Sequence, residues 1–219
     1  ALNPVYRTGD QVAEALMLDG LTHKQAMARA LELYQMVRIP DAEKRLQSYP
    51  HEMSGGMRQR VMIAMMLARN PKLLIADEPT TALDVTIEAQ ILDILLEMRK
   101  RYNASILLIT HNFGVVAETA DRVGVMYAGH LVEIGDVYTI FKEPKHPYTQ
   151  ALIAALPSGS KREKRLSVIP GSVPRILDHQ PGCRFANRCP YADERCRTQD
   201  PPAVRYGDGH EVRCHRKEG

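Results

Sequence analysis

No apolar run in these 219 residues approaches the about 18 needed to span a bilayer, so any work at a membrane must pass through partner subunits. Charge of one sign is not in excess either. The balance of 29 Lys and Arg against 26 Asp and Glu leaves +3, which demands no nucleic-acid partner. No internal repeat and no low-complexity tract is found, which sets aside repeat arrays. Cysteine is absent before Cys183; all four fall between there and Cys214, too localised for a general disulfide framework. Neither pair is C-x-x-C, so an ordinary zinc ribbon is not indicated. Also missing is G-x-x-x-x-G-K-[ST], the loop that cradles β- and γ-phosphates. What is present, 44% apolar and 25% charged residues, suits an ordinary globular protein of one or two domains with a full core.

Residues 1–9 read as loop, with Asn3-Pro4 and Thr8-Gly9 as turn signals. A short helix is expected over 10–18. Thr22-His23-Lys24-Gln25 has capping-box form, and Ala26, Ala30, Leu33 and Val37 recur at helical spacing up to Pro40. Ser54 is placed to cap a helix whose buried stripe is Met57, Val61, Ala64, Met65 and Ala68. Gly55 and Gly56 leave its first-turn amides uncovered, and such a terminus suits a phosphate.

Leu73-Leu74-Ile75-Ala76 and Ser105–Thr110 are short apolar strands, expected to be buried on both faces. A helix over 86–101 lies between them, with Ile87, Ile91, Ile94, Leu95 and Met98 inward and Asn103 closing it in the left-handed conformation. Strand, helix, strand implies a right-handed crossover and parallel pairing. Asp77, Glu78 and His111 then emerge on one carboxyl edge, where open α/β sheets bind ligands. Beyond His111 a short helix, a hairpin turning at Ala128-Gly129 and two helices are expected, the second entered through Pro147. From Pro157 the composition becomes a linker with the basic run Lys161–Arg165, leading into a small irregular module.

The run MSGGMRQRVMIAMMLARNPKLLIADEPTTALD followed by SILLITH closely resembles the ATP-binding subunits of ABC transporters. The match takes in the signature motif, Walker B, D-loop and H-loop in order. The resemblance implies a partial P-loop NTPase fold of α/β class. Residues 1–70 would be a helical subdomain carrying the signature helix, 71–156 the partial nucleotide-binding core, and 157–219 an irregular cysteine-containing extension. It implies ATP and Mg²⁺ as cofactors. Asp77 would be the metal ligand, Glu78 would polarise the attacking water, and His111 would contact the γ-phosphate. Ser54, Gly55 and Gly56 would complete a partner's nucleotide site, and Asp84 of the D-loop would cross to that partner. The chain starts Ala-Leu-Asn-Pro and reads as cut mid-domain, with Walker A and the Q-loop glutamine expected before Ala1. Such a fragment is not expected to turn over ATP alone.

The second constellation is Cys183-x5-Cys189-x6-Cys196-x17-Cys214. It resembles the C-terminal extension of ATPase subunits from dipeptide and oligopeptide importers, which implies four cysteines holding a 4Fe–4S cluster. Zinc is the alternative, disulfides or free thiols a third state, and His215 a substitute ligand. Arg184, Arg188, Arg195, Arg197 and Arg213 would offset the cluster's charge and favour thiolates. With GVVAETADRVGVMYAGHLVEIG and HPYTQAL, the whole resembles ATPase subunits of bacterial peptide importers, nickel importers being close relatives. Implied partners are a second, non-identical ATPase subunit, two membrane permeases and an external solute-binding protein. The implied location is the cytoplasmic face of the cell membrane. A soluble ABC ATPase acting on nucleic acid or ribosomes, and a non-catalytic iron–sulfur or interaction module, are the competing classes.

Overall fold

Helix α1 (Thr8–Met17) forms because Val12, Ala13 and Leu16 fall on one face, which is buried. The computed structural model describes residues 1–80, 84–156, 169–173, 181–207 and 209–216. Helix α2 (His23–Met36) starts on the expected capping box: Thr22 Oγ1 accepts the Gln25 N–H and the Gln25 side chain reaches back to the Thr22 N–H. After the short α3 (Ala42–Leu46), helix α4 (Gly55–Leu67) opens at Ser54 and buries Val61, Ile63, Ala64 and Leu67. The expected stripe is thus rotated. Met57 and Met65 are only half-buried, because α4 packs against neighbours on more than one side. Arg60 contributes to that packing, donating to the Val37 and Arg38 carbonyls (3.1 and 2.7 Å) and to Gln90 (2.7 Å).

Strand β1 (Leu73–Asp77), helix α5 (Val85–Tyr102) and strand β2 (Ser105–Ile109) form the crossover unit, and the strands pair in parallel with Asp77 opposite Ile109. Asn103 ends α5 with φ 48°, as expected. Burial on both strand faces is not observed. Leu74 and Ala76 are buried, whereas Leu73, Ile75, Leu107 and Ile109 are 53, 55, 50 and 46% exposed. The helices α1, α2, α4 and α5 and the buried side of the sheet share one apolar core. Residues 1–111 are one compact unit.

Residues 112–219 are the second unit. Its strands follow the order β3 (Arg122–Tyr127), β4 (His130–Asp136), β6 (His210–Arg213), β5 (Ala203–Tyr206), all antiparallel. Helices α6 (Phe113–Thr119), α7 (Val137–Lys142), α8 (Pro147–Ala154) and α9 (Glu194–Thr198) complete it. The tail is therefore less irregular than its composition suggests: β6 adds to β4, so residues 112–156 and the tail share one sheet. The basic run Lys161–Arg165 lies outside the described residues. Among those described, no helix is long and apolar enough to cross a membrane.

This sheet has a carboxylate inside it. Glu133 of β4 is 1% exposed, yet fully engaged. It accepts the backbone N–H groups of Lys145 and His146 (2.7 and 3.0 Å) and His210 Nε2–H (2.8 Å). Glu133→Ala would strand two backbone donors and a buried imidazole, and is expected to lower unfolding free energy by about 3–5 kcal/mol in urea denaturation. Glu133→Gln, which keeps an acceptor, should lose less.

Candidate functional site

The edge where β1 and β2 end gathers three of the expected residues. Asp77 is exposed and has no hydrogen-bond partner among the described residues, leaving both carboxylate oxygens open for a cation. Glu78 follows in the left-handed region (φ 46°), a conformation costing a non-glycine residue about 1–3 kcal/mol. Its N–H still donates to the Ile109 carbonyl (2.9 Å), extending the ladder by one bond. Its side chain meets His111, whose Nδ1–H donates to Glu78 Oε1 at 2.6 Å. Across the loop, Thr80 Oγ1 donates to Glu88 of α5 (2.8 Å), fixing the segment after Glu78 to the crossover helix.

Hydrogen bonding and charge from Glu78 raise the His111 pKa above its ordinary 6.5, with Glu88 adding in the same direction. The histidine's contribution to the pair is therefore fully present below pH 6.5 and is lost as pH rises through the raised pKa. The ring itself is open to solvent.

At the start of α4, Ser54 Oγ accepts the Met57 N–H (3.3 Å), and the Gly55 and Gly56 N–H groups have no partner among the described residues. Gly56 sits against Ile87 so closely that a Cβ there would lie 2.7 Å from Ile87 Cγ2. Ile87 is also the residue whose N–H is taken by the Asp84 carboxylate, at 2.9 Å, as the N-cap of α5. Ile87 thus links the glycine turn, through its side chain, to Asp84, through its backbone N–H. The expected D-loop acid serves as a helix cap in this chain, and Leu83 beside it lies outside the described residues.

In the second unit, Cys183, Cys189, Cys196 and Cys214 line one cavity of about 110 Å³, with His146 and His215 also on its wall. All four are free and half-buried. Gly182 makes the approach possible: its φ is +97°, and a Cβ would fall 2.7 Å from the Arg197 carbonyl. Cys183 N–H donates to the Cys196 carbonyl (2.8 Å), and Cys196 N–H to Asp193 (2.8 Å).

The arginines do not lower the thiol pKa values as expected. Burial raises all four, Cys183 to about 11. Arg184 and Arg188 are turned to the carbonyls of Ala128, Ile169 and Pro170, and Arg195 to that of His215. The cation that does favour thiolates is Arg216, acting on Cys189 and Cys214. Among the described residues no three His, Cys, Asp or Glu side chains converge on a point that would hold a metal ion. The iron–sulfur expectation therefore stands on the shared cavity alone.

Comparison with known proteins decides the family. Residues 2–81 match the ABC transporter family, and residues 132–196 match the oligopeptide/dipeptide transporter C-terminal region. The chain is 50% identical over 216 residues to the dipeptide transport ATP-binding protein DppD of Escherichia coli (strain K12), covering 98% of this chain and 66% of that protein. It belongs to the ATP-binding subunits of ABC transporters.

The DppD protein of Haemophilus influenzae is 53% identical over 216 residues (98% of this chain, 65% of the relative). The oligopeptide transport ATP-binding protein AppD of Bacillus subtilis is 51% identical over 215 residues (98 and 66%). The chain thus spans slightly under two thirds of the length of these relatives. A solved ABC cassette, dimeric in a post-hydrolysis state with ADP and Pi, superposes with TM-score 0.56 at 26% identity, covering 62% of this chain and 59% of the other. The α/β fold is that of ABC cassettes. Glu88, Gly182 and Arg216 were not singled out from the sequence, and Ile87 was read only as an inward-facing helix residue. Their roles depend on which neighbours the fold brings near, and no motif marks them.

The pairing of this ABC chain's Glu78 and His111 has a direct spectroscopic consequence. In an NMR pH titration, Glu78→Gln should move the His111 pKa down towards 6.5, since the first two causes of the rise are removed.

Proposed function

We propose that this chain is the greater part of an ATP-hydrolysing subunit that powers peptide import across the bacterial cytoplasmic membrane. The observation that carries this reading is the edge triad, Asp77 open, Glu78 and His111 joined at 2.6 Å, on the paired ends of parallel strands. Phosphoryl transfer to water needs charge neutralisation, an oriented nucleophile and a γ-phosphate contact. Asp77 would hold Mg²⁺, and Glu78 would accept a hydrogen bond from the attacking water. His111, its Nδ1 committed to Glu78, would offer its Nε2 side to the γ-phosphate. ATP would supply the scissile phosphoanhydride, and Mg²⁺ would neutralise the phosphates.

This sequence holds no Walker A motif, and in this reading the phosphate cradle would be supplied by residues outside it. Ser54, Gly55 and Gly56 would present their helix terminus to the nucleotide of a second, non-identical ATPase subunit. Asp84, through Ile87, would keep that terminus and the loop before α5 in register. The subunit would act at the cytoplasmic face, with two membrane permeases and an external solute-binding protein as further partners. The names of DppD and AppD support peptides as the transported class.

The four-cysteine cavity is the proposed site of a 4Fe–4S cluster, a group that would bind the tail to itself through four thiolates and carry one-electron chemistry. What supports this reading is that all four cysteines line one cavity; zinc is the alternative occupant.

Two measurements test these assignments. In the assembled transporter, Glu78→Gln should retain ATP binding while lowering turnover by about 10²-fold or more, as for loss of a positioned general base; turnover at the native rate would remove Glu78 from its role. Purified without oxygen, the protein should be brown and carry about four iron atoms per chain, by cluster stoichiometry. Stoichiometric zinc without iron would overturn the cluster assignment.

A further inference from the structure

Glu78 stays in the left-handed region, at φ 46°, only if its surroundings fix it from more than one side. The second strand supplies part of that. The Glu78 N–H is tied to the Ile109 carbonyl (2.9 Å), and its carboxylate reaches His111 (2.6 Å). Both partners belong to β2 or follow directly after it, and neither sets the direction in which the chain leaves Glu78. Pro79 comes next, buried and with no N–H to donate. The handle beyond it is Thr80, whose hydroxyl donates to Glu88 Oε1 at 2.8 Å.

Glu88 sits where an anchor is needed. It lies in the first turn of α5, and its own N–H donates to the Asp84 carbonyl (2.9 Å). The helix that carries it is fixed in the core through Ile91, Ile94, Leu95 and Met98. A carboxylate acceptor makes the bond from Thr80 one of the stronger kind. Glu88 also shares the neighbourhood of the catalytic edge. Hydrogen bonding and charge from Glu78 dominate the rise of the His111 pKa, and Glu88 is the other residue that contributes to it. The loop after Glu78 is thus pinned to a rigid helix by a group close to the pair it serves.

We propose that Glu88 is a positioning residue for ATP hydrolysis: by holding Thr80, it keeps Glu78 in its left-handed conformation with the carboxylate beside His111. Glu88 touches neither nucleotide nor attacking water in this scheme and acts through Thr80. Without the tie, Glu78 relaxes out of the left-handed region and spends its time in orientations that do not meet the water. The loss then falls on kcat, because ATP binding does not depend on how Glu78 is turned. This inference rests on the reading of Glu78 as the residue that polarises the water.

The tie is tested from both ends in the assembled transporter. Glu88→Ala and Thr80→Val should each lower kcat about tenfold with KM for ATP unchanged, part of the about 10²-fold that a 1 Å misplacement can cost. The double variant should be no slower than either single one, since both remove the same hydrogen bond. Glu88→Gln keeps an acceptor for the Thr80 hydroxyl and should recover most of the loss. An NMR titration of this chain adds a reading that a loss of stability would not produce. In Thr80→Val the His111 pKa should fall towards 6.5 although both carboxylates remain. Native kcat in both single variants overturns the inference and leaves Glu78 in its role. Losses that multiply in the double variant mark two separate effects and overturn it too. So does a Glu88→Gln variant as slow as Glu88→Ala, which assigns the loss to charge, or a His111 pKa that does not move in Thr80→Val. Turnover of Glu78→Gln at the native rate removes the assigned role of Glu78 and the inference with it.

Discussion

Two parallel strands cannot be closed by a tight turn, and everything at the nucleotide edge follows from that constraint. The connection from β1 to β2 must travel the length of the sheet and return, and α5 does so over Val85–Tyr102. Because both strands then run the same way, their ends lie side by side, Asp77 opposite Ile109. A one-residue slip would turn the side chains of β2 to the other face and carry His111 away from Glu78. The buried set Ile91, Ile94, Leu95 and Met98 on α5 therefore does more than fill the core. It fixes the register on which a 2.6 Å contact depends.

A different device organises the second unit. Glu133 is a charge placed where Val125, Tyr127 and Val132 form an apolar cluster, and it joins pieces of chain far apart in sequence. Through it, β4, the turn before α8 and the tail strand β6 meet at one carboxylate. The same turn delivers His146 to the cysteine cavity, so the sheet and the cavity share one anchor. Buried ionic groups often add specificity more than stability, and this one specifies where the tail attaches.

Much of this was readable from residues alone, and the reasons it was are physical. The capping box at Thr22, the cap at Ser54 and the left-handed Asn103 are local devices whose partners lie three or four residues away. The Asp77, Glu78 and His111 edge follows from topology, which a strand–helix–strand order dictates. Other features depend on distant neighbours and were not readable. The inward face of α4 shifts to Ile63 and Leu67 because helices lie on several sides of it. Arg184, Arg188 and Arg195 donate to backbone carbonyls that only the folded chain brings near them. The β5–β6 hairpin did leave a trace, alternation at Val204, Tyr206, His210 and Val212 round Gly207 and Gly209, but short strands in a polar tail give a faint pattern.

The outward side of β1 and β2 has a practical consequence for anyone handling the molecule. Leu73, Ile75, Leu107 and Ile109 stand together as an oily surface on a sheet that has two strands among the described residues, whose flanking backbone groups can recruit further strands. In dilute buffer such a surface invites self-adhesion, so a soluble preparation will depend on something lying over it, be it more polypeptide, a companion protein or a mild detergent.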